Sequence, residues 1–230
     1  MELDGIFLDM YGTITTGDRE AVEAVCVDVV RDTGAAISPH ELAITWGNQF
    51  FGSLDLCNGD DFITLFEIER RTLTDTMKSL GHDVNPDPYC LKLQHYWRNP
   101  PLQPEAARFF GELKIPVCIV SNADHEDVVQ VVEKNGLAVD HIVTSESARS
   151  YKPDRRIFES ALELTGWRRD RVIHVGDSLH SDVGGAITMG IRNVWINRTG
   201  RIHDIGTHTA DHEAASLDGI FSAIGVTPAA

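Results

Sequence analysis

The 230-residue sequence has few basic residues, with 20 Lys and Arg against 35 Asp and Glu and a formal charge of −15. An acidic surface repels phosphate backbones and anionic lipids, so we expect neither nucleic acid nor a membrane as a partner. No apolar run approaches the ~20 residues that span a bilayer. The first five residues include two acids and no base, unlike a secretory signal. We therefore expect a soluble, cytoplasmic protein.

Cysteine is also scarce, and no Cys-x-x-Cys pair occurs. The four cysteines, Cys26, Cys57, Cys90 and Cys118, are widely scattered, which fits reduced thiols better than a disulfide scaffold or a zinc site. The charged fraction of 24% is that of an ordinary globular chain and argues against disorder. The length suits one large domain, or a main domain with an insertion.

The hydropathy pattern changes twice along the chain. A short apolar run ending at Leu8 predicts a buried strand, and helical spacing follows from Asp18 to about Met77. Beyond Pro104, strands predicted at 117–120, 141–144, 171–175 and 193–196 alternate with amphipathic helices. This alternation predicts an α/β fold with a doubly wound, Rossmann-like parallel sheet. We assign residues 1–15 and 100–230 to this core and read 16–99 as an inserted helical cap domain.

Polar residues follow the predicted strands at the points where they end. They include the carboxylates Asp9, Asp177 and Asp182, the ammonium of Lys152 and the hydroxyl of Ser121. The carboxyl ends of parallel strands converge on one crevice, so these side chains are expected to meet there. Clustered carboxylates repel one another unless a cation neutralises them, and Mg²⁺ is the candidate ion. The pattern indicates a phosphoryl-transfer site, in which Lys152 and Ser121 hold an anionic group.

These segments resemble the four motifs of the haloacid dehalogenase (HAD) superfamily, with a helical cap of its first type. The matching segments are Phe-Leu-Asp-Met-Tyr-Gly-Thr at 7–13, Ile-Val-Ser-Asn at 119–122, Tyr-Lys-Pro-Asp at 151–154 and Val-Gly-Asp-Ser-Leu-His-Ser-Asp at 175–182. The resemblance implies that Asp9 is a nucleophile that forms a covalent intermediate, with Ser121 and Lys152 as its catalytic partners. It also implies a set of metal ligands: Asp9, the backbone carbonyl of Tyr11, Asp177 and Asp182.

Position 11 departs from the phosphatase pattern, which has a second Asp there to protonate the leaving alcohol. Tyr11 stands in its place, and a phenol with a pKa near 10 is a weak acid. Asp-x-Tyr-Gly-Thr is instead similar to the 2-haloacid dehalogenase branch, which works without a metal and releases a halide that needs no proton. Gly47, however, stands where that branch has an Arg, and Gly176-Asp177-Ser178 is typical of the phosphatases.

The fourth motif leads us to expect a Mg²⁺-dependent phosphatase that acts on a small phosphorylated metabolite through an aspartyl-phosphate. The first alternative is a metal-independent 2-haloacid dehalogenase with an ester at Asp9. A further alternative is phosphonatase-like chemistry, in which a cap lysine forms a Schiff base with the substrate, but the predicted cap has only Lys78 and Lys92. The last alternative is a catalytically weak binding protein.

Five further residues are expected to bind the substrate: Thr13, Asn122, Tyr11, Trp46 and Asn48. The last two are assigned on the resemblance alone, because both lie in the predicted cap. We expect the partner to be an anionic small molecule and the protein to be a monomer or a homodimer.

Overall fold

A parallel β-sheet forms the centre of the computed structural model, which describes residues 2–201 and 208–225. Its strands are β1 (Gly5–Leu8), β2 (Val117–Ser121), β3 (His141–Thr144), β4 (Val172–Gly176), β5 (Arg192–Ile196) and β6 (His212–Ala214). Their order is β3-β2-β1-β4-β5-β6, and all neighbours are parallel. The predicted doubly wound fold is confirmed. Its strand order reverses between β1 and β4, where such sheets bind their ligands.

Helices cover both faces of this sheet. They are α5 (Ala106–Glu112), α6 (His125–Asn135), α7 (Ser145–Ala148), α8 (Arg155–Thr165), α9 (Gly185–Met189) and α10 (Asp218–Ala223), and a π-helical turn, Leu179–Gly184, precedes α9. Gly136 ends α6 and Gly190 ends α9, with φ values of 58° and 65°. Both glycines adopt the left-handed conformation, which a residue with a Cβ adopts only at a cost.

The side chains of β1 alternate between two hydrophobic clusters. Ile6 and Leu8 pack with Phe109 of α5 on one face of the sheet. Phe7 packs with Phe158 of α8 on the other face. Because every residue of β1 is buried, the strand carries an unbroken apolar run rather than an alternating one. This burial holds the residue that follows β1 in a rigid setting.

Four α-helices lie between β1 and α5 in the chain. They are α1 (Asp18–Thr33), α2 (Pro39–Leu54), α3 (Leu65–Ser79) and α4 (Asp87–Trp97). These helices share a hydrophobic cluster of their own, whose buried members all fall between Val25 and Leu93. The boundaries assigned to the cap stay a prediction. Among the described residues, no helix combines the length and apolar character needed to cross a membrane.

Candidate active site

Asp9 lies directly after β1, at the carboxyl end of the sheet. Its backbone N–H donates to the carbonyl of Val175 in β4 at 2.9 Å, which holds the residue where the strand order reverses. The hydroxyl of Thr13 donates to Oδ2 at 2.9 Å, and Nζ of Lys152 donates to Oδ1 at 2.7 Å. Both oxygens of this buried carboxylate are therefore oriented by the protein.

Lys152 supplies the positive charge of the site and is 2% exposed. Its ammonium donates to Oδ1 of Asp9 at 2.7 Å, to Oδ1 of Asp182 at 2.6 Å and to the carbonyl of Val120 at 2.7 Å. The side-chain amide of Asn122 accepts from the backbone N–H of Lys152 at 2.7 Å and donates to its carbonyl at 3.0 Å. All three ammonium protons are thus engaged, and Asn122 positions the lysine backbone.

Asp182, in the π-helical turn, is enclosed by donors. Besides Lys152, Nε2 of His174 donates to Oδ1 at 2.9 Å, and the backbone N–H of Ser178 donates to Oδ2 at 2.9 Å. A Cβ on Gly176 would lie 2.1 Å from Cγ of Asp182, so only glycine allows this approach. The sequence analysis did not predict a place for His174 in the site. In the sequence, His174 is marked out only as a polar residue within the apolar run that forms β4.

Asp177 follows β4 and is the most open of the three carboxylates. Its side chain is 32% exposed, and its carboxylate lies against Gly12, where a Cβ would approach to 3.0 Å. Gly12 has a φ of 81°, so its conformation and its neighbour both require glycine. One oxygen each from Asp9, Asp177 and Asp182 lie within 4.8 Å of one another. The fold therefore assembles the carboxylate cluster at the switch point.

The three carboxylates differ in their protonation. Burial raises the pKa of Asp9 to about 6. Burial and the negative charge of Asp182 both favour the protonated form, and together they outweigh the opposite effect of the Lys152 ammonium. Burial also opposes ionisation of Asp182, but Lys152 and His174 outweigh it and hold the pKa well below its usual range. Burial and the charges of Asp9 and Asp182 raise the pKa of Asp177 to about 8. At neutral pH the cluster thus holds two ionised carboxylates, one protonated carboxyl and one ammonium.

Tyr11 turns its hydroxyl away from the carboxylates. The phenol donates to the backbone carbonyl of Trp97 at 2.7 Å, and the two rings meet edge to face with centroids 5.1 Å apart. Burial is the largest of the effects that raise the pKa of this phenol well above its usual value, and the charge of Asp127 adds to it. The proton of Tyr11 is therefore bound to the α4 segment and is not available to a leaving group.

The other predicted residues are less closely grouped. Ser121 is buried at the end of β2, beside Thr144 of β3. Trp46 is buried among the helices of the α1–α4 region, and its indole N–H donates to the hydroxyl of Thr72 at 2.9 Å. Asn48 is exposed on α2. Over residues 2–201 and 208–225, neither Trp46 nor Asn48 hydrogen bonds to the carboxylate cluster or to Lys152.

A nucleophile-like carboxylate, an ammonium and two further carboxylates at the switch point of a doubly wound sheet define a hydrolase site. A model of the haloacid dehalogenase-like hydrolase family matches residues 3–190, and the chain belongs to this family.

Similar proteins span nearly the whole chain. It is 28% identical over 224 residues to the (S)-2-haloacid dehalogenase H-109 of Pseudomonas putida, covering 94% of this chain and 95% of the relative. It is 27% identical to the haloacetate dehalogenase H-2 of Moraxella sp. (strain B), and the match covers 98% of this chain and 99% of the relative. The structure of the L-2-haloacid dehalogenase from Xanthobacter autotrophicus superposes with a TM-score of 0.78 at 19% identity, over 97% and 98% of the two chains.

These relatives correct two of the sequence predictions. The preference for a phosphatase is wrong, because the relatives that match the full chain are haloacid dehalogenases. The Mg²⁺ prediction is wrong with it, since the dehalogenase branch works without a metal. The physical reason lies in the charge count. The sequence analysis assumed carboxylates whose repulsion needs a metal ion, whereas the ammonium of Lys152 lies between Asp9 and Asp182 and pairs with both. This donor set does not require a resident cation.

Proposed function

We propose that the protein is a 2-haloacid dehalogenase, which converts a short 2-haloalkanoic acid into the 2-hydroxy acid without a metal. Asp9 is the nucleophile in this proposal, and Lys152 and Ser121 assist it. The names of the full-length relatives support the substrate class. The carboxylate cluster at the switch point supports the nucleophilic chemistry.

The hydroxyl of Tyr11 is the observation that carries the proposal. When Asp9 attacks a phosphate ester, the leaving group is an alkoxide that needs a proton, and loss of a general acid typically costs ~10² to 10⁴ in rate. The phenol occupies the position of that acid but donates to Trp97. A halide departs as a stable anion, so the first half-reaction of a dehalogenase does not need the missing acid.

In the first step, an oxygen of Asp9 attacks the α-carbon of the substrate. The new C–O bond forms as the C–halogen bond breaks, and the halide leaves with the bonding electron pair. Lys152 offsets the repulsion between the Asp9 carboxylate and the anionic substrate. Thr13 and Asn122 act as positioning residues, through Oδ2 of Asp9 and the backbone of Lys152.

In the second step, water attacks Cγ of the Asp9 ester and the bond from Cγ to the substrate oxygen breaks. One water proton passes to that oxygen, so the 2-hydroxy acid leaves, and the other is released when the regenerated carboxyl of Asp9 ionises. The water oxygen remains in the Asp9 carboxylate. Because the ester is neutral, its formation removes one of the charges that raise the pKa of Asp177. Formation of the ester thus favours the ionised form of Asp177.

We also propose that residues 16–99 act as the cap over this site. The carboxylate of Asp124, at the start of α6, accepts from the backbone N–H groups of Leu65 at 2.7 Å and Phe66 at 3.0 Å. It thereby binds the N-terminus of α3, where exposed N–H groups favour a negative charge. Closure of such a cap excludes water from the first step.

The test is halide release from each enantiomer of 2-chloropropionate, with and without a chelator. We expect halide and 2-hydroxypropionate in equal amounts, at a rate that the chelator leaves unchanged. A single turnover in ¹⁸O-water is expected to label the carboxylate of Asp9. Mg²⁺-dependent hydrolysis of an activated phosphate ester without halide release would contradict the proposal. Failure to release either product would favour a binding protein.

The pH dependence of kcat/KM is expected to follow Asp9. Its pKa is raised to about 6, so the nucleophile is ionised above that pH and protonated below it. We expect kcat/KM for 2-chloropropionate to fall roughly tenfold per unit as the pH drops below 6, because only the carboxylate attacks. The substrate stays ionised over this range. A profile that is flat down to pH 5 would contradict this assignment.

A further inference from the structure

The carboxylate cluster carries a net negative charge. Asp9, Asp177 and Asp182 share it with a single ammonium, that of Lys152, so negative charge is in excess whether or not Asp177 carries a proton. All three protons of the ammonium are engaged by Asp9, Asp182 and the carbonyl of Val120. A substrate carboxylate that approaches Asp9 is therefore repelled unless a second cation binds it.

Arg201 supplies a second cation beside the cluster. Among residues 2–201 and 208–225, it is the only Lys or Arg besides Lys152 that contacts a member of the cluster. Its Nη2 donates to the backbone carbonyl of Asp177 at 2.5 Å, and the side chain is 46% exposed. A guanidinium has five N–H donors, and the other four make no hydrogen bond to a residue within these ranges.

The position of Arg201 is fixed by its neighbours. The side-chain amide of Asn197, at the end of β5, accepts from the backbone N–H of Arg201 at 2.8 Å and donates to its carbonyl at 2.9 Å. Asn122 makes the same pair of bonds to the backbone of Lys152. The guanidinium also lies 5.7 Å from the centre of a Trp195 ring. A cation held in this way loses little freedom when it binds an anion.

Asp177 links the guanidinium to the nucleophile. One of its carboxylate oxygens lies within 4.8 Å of an oxygen of Asp9, and its Oδ2 lies 3.6 Å from Nη2 of Arg201. For attack, the α-carbon of a substrate must come to about 3–3.5 Å from Asp9, and the substrate carboxylate is bonded directly to that carbon. One small 2-haloalkanoate can therefore contact Asp9 and Arg201 at the same time.

We propose that Arg201 binds the carboxylate of the 2-haloalkanoate and so orients its α-carbon toward Asp9. This inference rests on the proposed function for its substrate, and the sequence analysis did not single out this arginine. The planar fork of a guanidinium matches the two oxygens of a carboxylate, which an ammonium does not. The substrate carboxylate keeps its charge during the reaction, so Arg201 stabilises the bound substrate and the transition state alike.

Arg198 is the competing arginine on the same loop, and its contacts argue against it. Its Nη1 donates to Oε1 of Glu105 at 2.7 Å, and its Nη2 donates to the carbonyl of Thr13 at 2.9 Å. The side chain is only 21% exposed. With both Nη atoms occupied, Arg198 supports the loop that carries Thr13 instead of offering a fork to a ligand.

The test compares Arg201→Met and Arg201→Lys with the wild type. Propionate, which lacks the halogen, reports carboxylate binding directly in a ligand-observed NMR titration. We expect Arg201→Met to weaken propionate binding and to raise KM for 2-chloropropionate, each by about 10- to 100-fold. Because the lost binding is uniform, kcat should stay within about threefold. Arg201→Lys keeps the charge but not the fork, so its loss of affinity should be smaller.

Two controls separate recognition of charge from a structural effect. Propionamide is a neutral analogue of propionate and should bind Arg201→Met as it binds the wild type. Arg168→Met removes an exposed arginine that pairs with Asp170 outside the site and should match the wild type in both assays. An equal loss of affinity for propionate and propionamide in Arg201→Met would overturn the inference, because the site would then have lost its shape.

Failure of the inference and failure of the proposed function are distinguishable. If the wild type releases halide and Arg201→Met binds propionate equally well, the inference alone fails. A lower kcat with unchanged propionate affinity would also overturn it, because Arg201 would then act on the reaction and not on the carboxylate. If the wild type binds propionate through Arg201 but releases no halide, the proposed function fails and carboxylate binding by Arg201 stands. No propionate binding by the wild type would overturn the inference whatever the halide assay shows.

Discussion

Asp9→Asn is expected to lower halide release from 2-chloropropionate by at least about 10⁴-fold, because an amide oxygen cannot displace a halide at a useful rate. The fold should survive. The amide oxygen can accept from Lys152 while the NH₂ group faces the hydroxyl of Thr13, so both present partners keep a contact. The measurement is the initial rate of halide release, with circular dichroism and thermal unfolding as controls.

A burst experiment sharpens this test. Wild type mixed with excess substrate should form an ester that digestion locates on Asp9, and Asp9→Asn should form none. Appreciable activity in Asp9→Asn, or an ester found on another carboxylate, would contradict the assignment of the nucleophile. Asp170→Asn, at an exposed ion pair with Arg168, is a matched control outside the site and should release halide as the wild type does.

Lys152→Met should have the largest effect on stability. The substitution leaves Asp9 and Asp182 buried without their shared cation, and breaking a buried ion pair in this way costs about 3–5 kcal/mol. For a chain of this length that lowers the melting temperature by roughly 6–20 °C. Activity should fall by at least about 10²-fold, because the ammonium no longer offsets the charge of the attacking carboxylate.

The pH dependence of this loss follows from the titrating groups. The pKa of Lys152 is raised above 10.5, so its stabilising effect is present in full below that pH and is lost only above the folded-state pKa. The difference in stability between variant and wild type should shrink as the pH falls through about 6, since Asp9 then takes up a proton.

Lys92→Met is the matched control. Lys92 is 49% exposed and pairs with Asp28, and an exposed pair is worth about 0–1 kcal/mol. Equal melting temperatures for the two variants would contradict the buried ion-pair role.

The core elements were predictable because their signals are local. The strand predicted at residues 141–144 coincides with β3, and Gly136 ends α6 through a left-handed conformation that glycine adopts readily. The strand β6 was missed. It has three residues, His212–Ala214, of which two are exposed, and it exists because it pairs with the edge of β5. Strands of this kind depend on their partner rather than on a hydropathy pattern.

In the candidate site, sequence order predicted that the carboxylates and Lys152 would meet, because the ends of parallel strands share one edge of the sheet, and the structure places them together. The catalytic role of Ser121 stays a prediction. Sequence order did not identify His174, which reads as one polar residue within an apolar strand. Nor did it show that the hydroxyl of Tyr11 donates to Trp97, 86 positions along the chain. Such contacts depend on the packing of α4 against the nucleophile loop.

The sequence by itself determined the doubly wound fold, the family and the set of chemical groups at the switch point, since these follow from local patterns and strand order. Only the tertiary structure decided how charge is distributed among those groups. Burial and neighbours a few ångströms apart leave Asp182 ionised, bring Asp9 to a pKa of about 6 and protonate Asp177 at neutral pH. The pKa of a carboxyl depends on its solvation and on the distance to other charges, and neither quantity is written in the order of residues.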